Sequence, residues 1–224
     1  MPKKPVDDRR RKLDELKKKQ RSSEKRGTVI AILLAVLLGG GLIAGAVLTK
    51  KSDKGTQTVD DVSTIGVSAE LAGCGEVASV DEKKVSAQHV NGQVAYPNPP
   101  SAGDHNGQTA PANIRFYARD NAKAPENLVH NLEHGYVVVW YDDDLPQTEV
   151  DELQSIAASI SDKHRKFIVA PWTRGKFEGN ANVGVTAWAR TQLCEKVSGA
   201  AIKQFAEEYD YRGDKSVAPE KNAA

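Results

Sequence analysis

Within this 224-residue sequence, the run His130-Asn131-Leu132-Glu133-His134 carries the clearest potential for chemistry. On a helix, histidines four residues apart share one face with origins about 6 Å apart, close enough for one metal ion to bridge them. Two ligands do not complete a site. A third must come from elsewhere in the chain, and His105, at the end of the Pro-rich run 96–103, is the strongest candidate. His89 is then a fourth or outer ligand, while Glu133 and Asp104 can orient a ring or lend an oxygen.

Neutral imidazole suits Zn(II) and Cu(II), and a site without thiolate or thioether argues against a dedicated Cu(I) carrier; Met1 is the sole methionine. The same five residues fit the H-x-x-E-H pattern of inverted zinc peptidases, in which Glu133 would activate a metal-bound water. Gly135 follows at once, so the helix is only about ten residues long and leaves little room for a peptidase scaffold. A plainer reading is also open: His130 satisfies a core hydrogen bond, His134 compensates the negative end of its helix, and Glu133 is solvated. His164, between Lys163, Arg165 and Lys166, reads as a surface residue.

The elements that must hold these groups follow from spacing and turn chemistry. The run 96–103, Tyr-Pro-Asn-Pro-Pro-Ser-Ala-Gly, predicts an extended, rigid loop, because its prolines lack backbone donors. Residues 125–134 predict a short helix with Pro125 at its start and Gly135 as a left-handed terminator. Residues 136–141 predict a β-branched and aromatic strand. A second helix follows, with Thr148 as its cap candidate and Val150, Leu153, Ile156, Ala157 and Ile160 at helical spacing. Strands at 167–170 and 183–188 and a helix at 199–209 complete the order.

That order implies an α+β domain with a small mixed sheet and flanking helices. A thioredoxin-like order is possible and a ferredoxin-like sandwich is the alternative. No Cys-x-x-Cys supports thioredoxin chemistry.

Charge is divided unevenly along the chain. Residues 1–27 carry twelve Lys/Arg against five Asp/Glu, leaving nineteen against twenty-five for the rest. No aromatic interrupts the basic run, which argues against single-stranded nucleic acid as a partner. The uncharged stretch 28–48 spans about 30 Å as a helix, enough to cross a bilayer. A long tail before about twenty apolar residues fits an uncleaved anchor better than a signal peptide, despite the Ala44-Gly45-Ala46 run. The positive-inside bias keeps the N-terminus cytoplasmic and the rest outside, although Lys50, Lys51 and Lys54 flank the far end. Gly41 and Gly45 have the spacing of a close helix contact and allow a weak homodimer, or are simply tolerated.

The expected organisation is therefore a basic tail at 1–27, a transmembrane helix at 28–48 and a polar linker at 49–72. A globular domain at 73–213 and a flexible tail at 214–224 complete it. Cys74 and Cys194 are the only cysteines and fall in an oxidising compartment on this reading, so they are expected to pair.

Three stretches resemble an uncharacterised bacterial family of membrane-anchored proteins, domain of unknown function 3105. They are Gly73-Cys74-Gly75, the loop 96–105, and the block from Glu126 through His130, Glu133 and His134 to Tyr141. The resemblance covers about residues 70–213 and includes Thr186-Ala187-Trp188. The family pattern reads approximately Pro-Pro-Thr-Ser-Gly-Pro-His at the loop. His89, His105, His130, Glu133 and His134 fall on its polar positions, which favours a site. Ser101, Ala102 and Asp104 depart from it, and Asp104 can orient His105 or add an oxygen ligand. The resemblance implies no established activity. The reading favoured by the residues is a non-enzymatic, envelope-facing domain that binds copper or zinc. An interaction module for another envelope or membrane protein is the second reading.

Overall fold

Val137–Asp142 is a strand of six buried residues, and the rest of the fold is arranged on its two faces. The protein is described by a computed structural model over residues 62–160 and 166–223. The elements are β1 (Ala78–Ser79), α1 (Pro125–Glu133), β2 (Val137–Asp142), α2 (Gln147–Ser159), β3 (Phe167–Trp172), β4 (Val183–Ala187), β5 (Arg190–Cys194) and α3 (Gly199–Tyr209). Four short 3-10 turns, at Val62–Thr64, Ala69–Leu71, Glu82–Lys84 and Arg119–Asn121, sit in the connections.

The strands form one mixed sheet in the order β1-β5-β4-β2-β3. β2 and β3 are parallel, as a crossover through a helix requires, and the other pairs are antiparallel. The protein is thus mixed α+β, with five strands and three helices among the described residues.

Alternation along β2 divides the core. Val137, Val139 and Tyr141 pack with Leu153 and Ile156 of α2 and Ile202 and Phe205 of α3. Val138 and Trp140 pack with Leu128, Val129 and Leu132 of α1 and with Trp172 and Trp188. Such two-sided burial explains why this strand reads as a continuous apolar run.

The loop 96–103 lies against this sheet. The Asn98-Pro99 peptide is cis, Ala189 N–H donates to Ser101 O at 2.9 Å, and a Cβ at Gly184 would come within 2.6 Å of Pro99 Cγ. A glycine in β4 is therefore what lets the loop approach so closely. Cys74 and Cys194 are bonded, with Cα atoms 4.0 Å apart and a sequence separation of 120. Their bridge joins the segment before β1 to the end of β5.

Several expectations are corrected. The globular fold begins earlier than residue 73: Val62 is buried, Val67 N–H donates to Val197 O, and Gly199 N–H donates to Ile65 O, each at 2.9 Å. The end of the chain is not a free tail, since Ala218 is buried and Lys166 Nζ donates to the carbonyls of Lys221 and Ala223. Thr148 does not cap α2; the helix begins at Gln147 with Pro146 before it. β1 and β5 were not expected. The segment 1–61, with the predicted anchor and with Gly41 and Gly45, lies outside the described residues, as does His164. Among the described residues no helix is long and apolar enough to cross a membrane.

Candidate metal centre

α1 delivers two of the converging groups, His130 and Glu133. Pro125 occupies the first turn, where its missing N–H costs nothing. The helix stops at Glu133 because Gly135 takes φ 81°, and a Cβ there would press within 2.7 Å of Tyr211 Cβ. His130 and Glu133, three residues apart, consequently share a face. His134 is the capping residue, and its ring centroid stays 4.9 Å from that of His130.

The loop after the Pro-rich run supplies the third group. His105 is fully buried, and its Nδ1–H donates to Gly103 O at 2.8 Å. His130 Nδ1–H donates to Asn106 O at 2.8 Å in the same way. A carbonyl oxygen only accepts, so each Nδ1 carries a proton, and the His105 Nε2 faces Glu133. Anchoring one imidazole nitrogen on a backbone carbonyl is how metal-ligating histidines are oriented.

His89 closes the outer side. Val90 N–H donates to His105 O at 2.8 Å and His105 N–H to Gln88 O at 3.0 Å, a short parallel bridge that sets the two histidines side by side. Asp104 secures this pairing by accepting from Ser86 Oγ and from Gln88 N–H. Those bonds hold its carboxyl below the usual range. Asp104 thus positions the His89 segment; its side chain is not one of the converging donors.

One potential donor atom from each of His89, His105, His130 and Glu133 lies within 4.8 Å of the others; three of the residues are buried and His89 is exposed. Ring centroids are 5.1 Å apart for His89 and His105, 4.7 Å for His89 and His130, and 4.8 Å for His105 and His130. His105 Nε2 lies 3.0 Å from Glu133 Oε2, yet is not aligned for a hydrogen bond to it or to any other group. Burial, followed by the neighbouring His105 and His134, pulls the His130 pKa down to about 4, so that imidazole is neutral at pH 7. Three imidazoles and a buried carboxylate could hold a metal ion.

The family described as protein of unknown function (DUF3105) matches residues 88–224. The chain belongs to that family. The DUF3105 match contains all four converging residues and leaves Cys74 outside, so it begins later than the resemblance read from Gly73-Cys74-Gly75. No curated protein and no solved structure matches the chain.

Of the residues singled out in the sequence, His89, His105 and His130 come together. His134 packs its ring 4.9 Å from that of His130 but is not among the four converging donors, and its Nε2 lies 3.4 Å from Glu220 Oε2. Glu133, expected to stand behind the ligands, lies instead among the converging donor atoms.

Sequence reasoning missed Glu126 and Arg174. Glu126 is buried, receives Arg174 Nη1 at 2.7 Å and Nη2 at 2.8 Å, and accepts from Val94 N–H at 2.8 Å. Burial raises its pKa, but the Arg174 and Val94 hydrogen bonds outweigh that and hold it below the ordinary value. Its carbonyl accepts from Asn106 N–H at 3.3 Å, so the clamp supports the loop that anchors His130. The sequence signal was weak, since an acid in the first turn of a helix is ordinary.

Proposed function

We propose that this DUF3105 domain binds one divalent transition ion, Zn(II) or Cu(II), through His89, His105, His130 and Glu133. The observation that carries the reading is the buried contact between His105 Nε2 and Glu133 Oε2, two groups 3.0 Å apart with no hydrogen bond between them. A buried carboxylate needs a compensating charge, and a ring nitrogen with no hydrogen-bond partner beside it is free to join it in coordinating a cation. One divalent ion meets both needs.

The donor set supports the choice of ion. Three nitrogens and one oxygen without sulfur suit Zn(II) or Cu(II). Ligand distances of about 2.0–2.1 Å place tetrahedral donors roughly 3.3 Å apart, so loading draws the widest pair in by about 1.5 Å. His89, exposed and on a peripheral segment, has the freedom to supply that movement and leaves an entry path.

The location is part of the proposal. The basic tail and the uncharged stretch 28–48 support a single-pass anchor with the domain on the outer side of the membrane. The Cys74–Cys194 bridge supports an oxidising compartment.

Elemental analysis of the full-length chain after zinc or copper loading and desalting tests the binding. About one ion per chain is expected, falling to a small fraction in a folded His105→Ala, His130→Ala variant. Equal metal content in the two proteins would exclude the site.

A further inference from the structure

A second cleft lies at the end of β3. It has a volume of about 360 Å³ and is lined by Gln93, Val94, Ala95, Tyr96, Trp172 and Arg174. None of these residues belongs to the metal centre, and the inference does not rest on metal binding.

Two features give this cleft a chemistry. Trp172 is 1% exposed and its ring is fixed edge-on against Trp140, with centroids 5.6 Å apart. Its indole Nε1 is buried with no hydrogen-bond partner. An orphaned donor of this kind costs stability unless a ligand or water accepts from it.

Arg174 supplies the second feature. Its Nη1 donates to Glu126 Oε1 and, at 3.3 Å, to Val94 O, while Nη2 donates to Glu126 Oε2. A guanidinium has five N–H donors in a planar fork. Three are used here, leaving Nε–H and the second Nη2–H, which lie side by side on the edge turned away from Glu126. The side chain is 24% exposed, and the salt bridge immobilises it, so the free edge is preorganised. Two parallel donors match the two oxygens of a carboxylate.

We propose that this cleft binds a carboxylate, held side-on by Arg174, with the Trp172 and Tyr96 rings as its walls. Glu126 already offsets the arginine charge, so recognition comes from geometry more than from attraction, and the affinity is in the millimolar range. A free small acid and the C-terminus of a peptide share this chemistry.

The test follows the indole N–H resonances of the ¹⁵N-labelled full-length chain, which has three tryptophans. Folded Trp172→Phe identifies the Trp172 signal. Acetate represents a small acid, N-acetyl-Gly-Gly a chain end, and acetamide with the peptide amide are the neutral controls. Saturable shifts of the Trp172 and Arg174 Nε–H signals with either carboxylate, and none with its neutral control, are expected; the tighter probe identifies the source. An absence of saturation in the wild-type chain, or equal shifts with the amides, would overturn the assignment. In Arg174→Lys, which keeps charge but loses the fork, carboxylate binding is expected to weaken at least fivefold if the variant is folded; unchanged binding also overturns it.

Discussion

His105 Nε2 and Glu133 Oε2 face each other at 3.0 Å inside the protein, one contributed by the loop after the Pro-rich run and the other by the last turn of α1. Each is placed by backbone, His105 through Gly103 O and Glu133 through the helix end at Gly135. The contact is therefore built by two separate elements.

Glu133→Gln keeps the shape of the side chain and removes its charge. The account expects at least a tenfold loss of zinc affinity in a chelator competition, by the loss of the anionic ligand. The metal-free variant should be no less stable than the wild type, because an uncompensated buried charge has gone.

His134→Ala separates the two readings of the H-x-x-E-H run. Its ring pairs with half-exposed Glu220, so the variant should keep about one ion per chain and lose no more than about 1 kcal/mol of stability in a denaturant titration. Loss of the metal in this variant alone would return His134 to the ligand set.

The His130 pKa, near 6.5 in the unfolded chain and about 4 in the fold, gives the metal-free protein an acid sensitivity. Between these values the unfolded state binds more protons, so stability rises with pH across the window and is lost as pH falls from 6.5 towards 4. The loss is up to about 3 kcal/mol. Thermal unfolding of the metal-free chain across that window should show it, and His130 should titrate near the lower end by NMR.

Removing Arg174 as Arg174→Ala strands the buried Glu126 carboxylate and should cost about 3 kcal/mol in urea unfolding. The depressed Glu126 pKa adds stability that is present above the ordinary glutamate range and lost as pH falls through the folded value. The wild type should therefore lose this contribution in acid, and Arg174→Ala should already lack most of it.

Cys74→Ser with Cys194→Ser opens a loop of 120 residues. In the chain-entropy view the bridge contributes about 4–5 kcal/mol. A matching fall in unfolding free energy of the metal-free protein is expected, and a change below about 1 kcal/mol would contradict that role.

Much of this was legible because the relevant signals are local. Pro125 and Gly135 bracket α1 by backbone geometry alone, and the β-branched run of β2 declares two-sided burial. The pairing of Cys74 and Cys194 needed only that no other cysteine exists. β5 was missed because Arg190-Thr191-Gln192-Leu193-Cys194 is half-exposed and polar, and its strand character comes from pairing with β1 and β4. The i, i+4 spacing does bring the His134 ring within 4.9 Å of His130, but the pairing of its Nε2 with Glu220, 86 residues on, has no local signal. Glu126 and Arg174 are 48 residues apart, and nothing local in either announces the other.

X-ray absorption at the zinc edge of the zinc-loaded full-length chain tests the central claim most directly. The account predicts one ion with a first shell of nitrogen and oxygen only, three imidazoles among the ligands, at about 2.0–2.1 Å. A chain that retains no ion after desalting, or a shell with fewer than two imidazoles, would contradict it.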